Sequence, residues 1–512
     1  MRHARLTILL LCLLLLSACR KVTPPDSYII YNVSAPILPD YADVTIPVNI
    51  APLNFSIDND SVTDCVACLS YGDQRYCYGK GHKVVIDPKE WRALLTAAQG
   101  DSIQVELYSQ VAVQWRRHPA FSIHVVSDSI DHYVAYRLIP PYNTYERISL
   151  AYRDLETFEE TEYYNNQMLD APKGGHCINC HAFQSYRTER MQFHVREEYA
   201  GTVVYDRGDI GKYNLKLPET ISSGVYPAWH PTLNLIAYST NKSFMEFHSD
   251  GLCKSEVQDS QSGLILFDVE HKRVIPICDE PDLMETFPTW SPDGKWLYYS
   301  VARFTFEGVD ATDADHRLGR QHEVTDHYRD VRYDIYRRSF DATALTFGAP
   351  ELVLDAATHG KSATLPRISP DGRWLLTCIG DYGCFHIYHP EADLMVMPVE
   401  AIDSIETKET IETIATKLHP LTAANAPHSA DSYHSWSSTG RWIVFQSRRR
   451  DDNYTRLYFT YFDREGHDHN AFEMPQRDPD YELLHLRSYN IPEFILEPIR
   501  TTPAELARAI KK

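Results

Sequence analysis

Several things are missing or scarce in this chain of 512 residues, and each absence narrows its function. Basic residues are outnumbered, 50 against 70 acidic, for a net charge of −20. Such a surface repels phosphate backbones, which argues against nucleic acid as a partner. After residues 6–16 no run is apolar enough to span a bilayer. No Gly-x-Ser-x-Gly elbow and no later α/β domain is found, which argues against a serine peptidase that depends on them. His316, His322 and His327 lie in a charged insertion, and their spacing fits no compact metal motif.

The N-terminus carries the first positive signal. Arg2 and Arg5 precede the apolar residues 6–16, followed by Leu16-Ser17-Ala18-Cys19. A positive segment, a short apolar segment and small residues before a cut predict a secretory signal peptide over 1–18. The small residues before Cys19 resemble the bacterial lipobox. That resemblance implies lipidation of Cys19, a tether over 19–26 and an exported, membrane-anchored lipoprotein, expected to face the periplasm. An ordinary signal peptide with an incidental cysteine is the alternative.

Cys177-Ile178-Asn179-Cys180-His181 is the strongest motif. Cys-x-x-Cys-His reads as a covalent attachment site for one c-type haem. Cys177 and Cys180 would add to the porphyrin vinyl groups, and His181 would become the proximal iron ligand. Met191 and His194 would share one helical face and are the candidate distal ligands. His176 is too close to the attachment loop, and Met168 is a further candidate. Export and haem attachment support each other. The other reading is that Cys177 and Cys180 hold a disulfide or a metal.

Thirty-three tyrosines, eight tryptophans and thirty prolines predict a mainly β, turn-rich chain. Alternating runs separated by turns predict a β-sandwich over 27–158, with one helix near 88–98. Cys65, Cys68 and Cys77 read as a local disulfide in a hairpin rather than a metal knot with His82. Cys378 and Cys384 flank a turn and could bridge. Residues 163–169 and 188–198 have helical composition, so 159–199 reads as a short helical haem-attachment insertion.

An internal repeat follows. Tyr226-Pro227-Ala228-Trp229, Phe287-Pro288-Thr289-Trp290, Leu365-Pro366-Arg367-Ile368 and His434-Ser435-Trp436 each open a strand–turn–strand unit. Their turns are of the Ser-Pro-Asp-Gly type, in which proline presets φ and glycine takes the positive φ. Four strands per unit predict blades, at least four of them, over 200–490, with a tail over 491–512. The copies resemble the TolB-like β-propeller family. Trp229 and Trp290 are 61 residues apart, against ~40–45 per blade, which calls for insertions or cryptic blades.

The mature chain also resembles exported bacterial lipoproteins of unassigned function that join a propeller to a CxxCH segment. The match rests on residues 175–183, 191–196, 224–231, 432–436, 447–449, 454–458 and 488–494. It implies electron transfer through one haem c, with the propeller docking a redox partner or cell-envelope protein. The other reading is a non-redox binding or scaffold propeller. A haem enzyme would need an open iron and a distal acid or base, which the sequence does not display.

Overall fold

In a computed structural model, residues 22–141, 146–170, 175–249, 255–278, 280, 282–303, 316–403 and 417–512 are described. The signal peptide, Cys19 and Cys253 lie outside them. The chain is mainly β and divides into two compact units.

The first unit takes residues up to Ser127 together with Pro475–Leu484. It holds a seven-stranded mixed sheet, a three-stranded antiparallel sheet and the helix Pro88–Ala97. Asp87 caps that helix by accepting from the Lys89 and Glu90 amides, and Trp91, Leu94 and Leu95 are its buried face. The hairpin Val62–Tyr71/Gln74–Tyr78 puts Cys68 directly across from Cys77, and they form a disulfide. Cys65 stays free. His82 bonds Asp480 rather than joining a cysteine knot.

Among the described residues the second unit is built from six antiparallel blades, four of them separate four-stranded sheets and the other two joined into one nine-stranded sheet by a parallel pairing at Ser262 and Met284. Their inner strands, in chain order, are β1 (Ile178–Gln184), β2 (Gly224–Trp229), β3 (Leu283–Trp290), β4 (Ser362–Ile368), β5 (Asp431–Trp436) and β6 (Ser488–Ile495). Each inner strand packs on the next, and β6 packs on β1, so the six make a closed, propeller-like ring. The blades are named A to F after β1 to β6. Blade F is assembled from both ends of the unit: β6 pairs with Tyr133–Ile139, followed by Ser149–Asp154 and Glu160–Asn165.

The repeated turn works as its sequence predicts. In Ser291-Pro292-Asp293-Gly294, Gly294 has φ 72° and Asp293 accepts from the Lys295 amide at 3.1 Å. Ser291 Oγ accepts from the Trp296 amide at 3.0 Å. Ser369 and Ser437 do the same for Trp374 and Trp442, each at 3.0 Å. Neighbouring blades are stapled by indole N–H groups. Trp229 donates to the Ala182 carbonyl at 3.3 Å, Trp290 to Ala228 at 3.1 Å and Trp436 to Arg367 at 3.1 Å. A buried indole needs such a partner, and here it lies in the preceding blade.

Several expectations change. Residues 27–158 do not form one domain, because the first unit ends at Ser127 and strands from Tyr133 onward belong to blade F. The helices expected beside the haem motif are strands: Glu160–Asn165 in blade F and Arg187–Val195 in blade A. In the second, Met191, Phe193 and Val195 alternate with Arg190, Gln192 and His194, a period of two that fits a strand. The ring begins near 133 rather than 200. The expected tail contains most of β6 and the capped helix Pro503–Lys511. Cys378 and Cys384 are buried and free.

Candidate functional site: the axial cavity

Each inner strand is interrupted at one place. Cys180, Tyr226, Phe287, Leu365, Tyr433 and Ile491 all take positive φ, between 43° and 56°. At each of them the pairing register with the second strand shifts. This is a β-bulge held by residues other than glycine, a conformation L residues adopt rarely and at a cost of about 1–3 kcal/mol. The next residue is Pro227, Pro288, Pro366 or Pro492 in four blades, and His181 or His434 in the other two. Proline suits a place where the ladder is already broken and no amide is needed. Cys180-His181-Ala182-Phe183 therefore occupies the place of Tyr226-Pro227-Ala228-Trp229. The haem-type motif is also a copy of the blade repeat.

The interrupted segments of all six strands line an axial cavity of about 380 Å³. That is within the ~300–1,000 Å³ of small-molecule sites. Cys180 and His181 are part of its wall. Cys177 is not: it packs against the core between blades F and A, with Sγ 3.8 Å from Asn179 Nδ2. Both thiols are free and partly exposed, so the expected alternative of a Cys177–Cys180 disulfide is not the form observed. Among the described residues no cluster of three or more His, Cys, Asp or Glu is arranged to hold a metal.

His181 is 5 % exposed, and its Nε2 has no hydrogen-bond partner. Burial, with the nearby Arg137 charge, pushes its pKa down to about 3, so the ring is neutral at physiological pH. His434 is its counterpart. It is 2 % exposed, neither ring nitrogen is partnered, and burial together with Arg367 pushes it down to about 3. Backbone carbonyls lie near both rings without the alignment of a hydrogen bond: Ile491 and Ala135 at His181, Leu365 and Leu376 at His434. These neighbours correspond in turn. Ile491 and Leu365 are bulge residues, and Ala135 and Leu376 pair with Glu493 and Arg367.

The candidate distal ligands are not brought to the cavity. Met191 is buried in the core between blades F and A. His194 is buried with Nδ1 3.2 Å from Thr202 Oγ1, and burial pushes it down to about 3. Three residues apart in a strand, the two point to opposite faces. His176 is buried with Nε2 3.3 Å from the Tyr164 hydroxyl, and Met168 is exposed.

The cavity wall also holds Arg367, Glu493 and Tyr186, which the sequence reading passed over. Glu493 accepts from the Phe183 amide at 3.0 Å, and burial pushes its carboxyl up to about 8 despite that bond and the Arg367 charge. Arg367 and Glu493 follow the bulge proline in blades D and F, so the repeat register was the signal that could have found them.

No known protein family matches the chain, and no curated protein does. Solved structures with a related arrangement include prolyl oligopeptidase B from Galerina marginata, at 9 % identity and TM-score 0.35. The alignment covers 72 % of this chain and 42 % of that one. The tricorn protease aligns at 15 % identity and TM-score 0.32, over 80 % of this chain and 34 % of its own. A nidogen/laminin complex chain aligns at 8 % identity and TM-score 0.35, over 71 % of this chain and all of its own. The chain spans less than half the length of the peptidases it matches. Likeness this slight carries no argument about activity.

Proposed function

We propose that the chain is an exported, lipid-anchored propeller protein that carries one c-type haem and transfers electrons. The observation that supports this most is the set of groups at one place. Cys177 and Cys180 are free and partly exposed, and His181, which lines the cavity next to Cys180, has a buried, unpartnered Nε2. This donor set fits haem c: the two cysteines would hold the porphyrin, His181 would hold the iron, and the group would supply one-electron chemistry. The protein's part is then to keep His181 neutral and the surroundings dry. The amino-terminal unit, read as a β-sandwich, and the outer faces of the TolB-like blades would dock a redox partner or cell-envelope protein.

The test is production with the haem-ligation machinery, followed by a pyridine haemochrome spectrum and a mass of the denatured chain. The expected mass includes one haem, and both Cys177→Ser and Cys180→Ser reduce its attachment. A mass without haem would overturn the reading.

A second reading has its own support. His434 repeats the burial, the missing partners and the neighbours of His181 in a blade with no cysteine pair. Cys177 also stays off the cavity wall. Both points favour a non-redox binding propeller in which His181 is an interblade wedge. Haem-free protein that keeps its fold and binds a small ligand in the cavity is the outcome this reading expects.

A further inference from the structure

Arg367 and Glu493 sit at matching places of two blades, and each lies within range of the other's charge. They nevertheless form no ion pair, and among the described residues the Arg367 guanidinium has no hydrogen-bond acceptor at all. Other enclosed arginines of the ring are engaged. Arg137 donates to the Ile178 carbonyl and to Asn490, Arg441 pairs with Asp371, and Arg449 pairs with Asp431. A half-buried guanidinium that lines a cavity without an ion-pair partner has hydrogen-bonding capacity that an arriving anion would meet.

We propose that the axial cavity binds a carboxylate, with Arg367 as the group that receives it. A guanidinium matches a carboxylate with two parallel N–H···O bonds, a fit lysine does not reproduce. Burial favours the protonated form of Glu493, and in that form it leaves the cation free and can donate to the same ligand. The rest of the wall, including Tyr226, Pro227, Phe287 and Pro288, is largely apolar and would cover the body of the ligand. Two sources share this chemistry: a propionate of a haem held at Cys177 and Cys180, or a small free carboxylate. The proposal does not depend on the haem reading.

The experiment uses the full-length chain in two forms. In haem-free protein, succinate and benzoate are titrated by calorimetry, with succinamide and benzamide as neutral controls. The expected result is binding of a carboxylate at least tenfold tighter than its amide, lost in Arg367→Met and partly kept in Arg367→Lys. In haem-loaded protein, a propionate source predicts that free carboxylates no longer bind and that Arg367→Met shifts the midpoint potential. A free-carboxylate source predicts unchanged binding and potential. Near-UV circular dichroism of both variants checks the fold, and Arg367→Lys keeps the test alive if Arg367→Met does not fold. Equal affinity for acids and amides in haem-free protein, with an unmoved potential in the loaded variant, overturns the proposal. A missing haemochrome overturns only the haem reading.

Discussion

Blade A and blade E contain the same local structure with different surroundings in sequence. In both, a left-handed residue breaks the inner strand and a buried histidine follows, Cys180-His181 in one and Tyr433-His434 in the other. Both rings are neutral, His181 lacks a partner at Nε2 and His434 at both nitrogens, and both lie beside the bulge residue of the preceding blade. Only blade A adds a second cysteine, Cys177, three residues before Cys180 and just ahead of the inner strand. Blade E thus supplies an internal control: whatever His181 does that His434 does not can be assigned to the cysteine pair.

The largest effect that probes this comparison is removal of a staple. Trp436→Ala, which empties a buried indole site of blade E, is expected to cost about 3–5 kcal/mol by urea unfolding. Trp229→Ala, which removes the staple between blades A and B, should cost a similar amount. A loss at Trp229 much smaller than that at Trp436 would show that blade A is not held as an equal member of the ring.

Second is a pH effect from Glu493, which faces Arg367 and Tyr186. Its folded pKa of about 8 lies above the ordinary carboxyl value of 4.5, so the native state binds the extra proton between those limits. Its contribution is full below about pH 4.5 and is lost as pH rises through 8, by about 3–5 kcal/mol. Glu493→Gln should flatten that part of the stability–pH curve. An unchanged slope would mean that the carboxyl is not desolvated.

Third, His181→Ala and His434→Ala should each cost about 2–4 kcal/mol in haem-free protein, and by equal amounts, because the two fill equivalent interblade spaces. In haem-loaded protein only His181→Ala should change the visible spectrum. Fourth and smallest, Cys177→Ser should move the stability of haem-free protein by less than about 0.5 kcal/mol, since the thiol is free and partly exposed. A thermal melt suffices to check it.

How much of this was legible beforehand differs by element. Four blades were visible because Ser-Pro-Asp-Gly turns and Trp residues mark them at the sequence level. Blade A was hidden because cysteine and histidine replace Tyr-Pro in its inner strand. Its second strand, Arg187–Val195, has a composition that mimics a helix, and with Met191 to Val195 all buried no in–out alternation marks it as a strand. Blade F was hidden for a different reason: Ile491-Pro492-Glu493 is separated by more than 300 residues from the strands it completes, and no local pattern reports such a pairing. Cys180 and His181 were found from their chemistry, whereas Arg367 and Glu493 become visible only when all six strands are superposed. Met191 and His194 failed because their face was assigned with a period of 3.6 where the chain uses 2.

The way β6 completes blade F has a consequence for the order of assembly. Residues 133–165 are synthesised early, yet their inner partner, Ser488–Ile495, emerges more than 300 residues later. Until it arrives, Tyr133–Ile139 has an open edge and the ring has a gap between β5 and β1. The final closure spans almost the whole unit and carries the entropic cost of bringing distant segments together. A chain cut short before Ser488 would therefore leave an open arc of blades with a sticky edge.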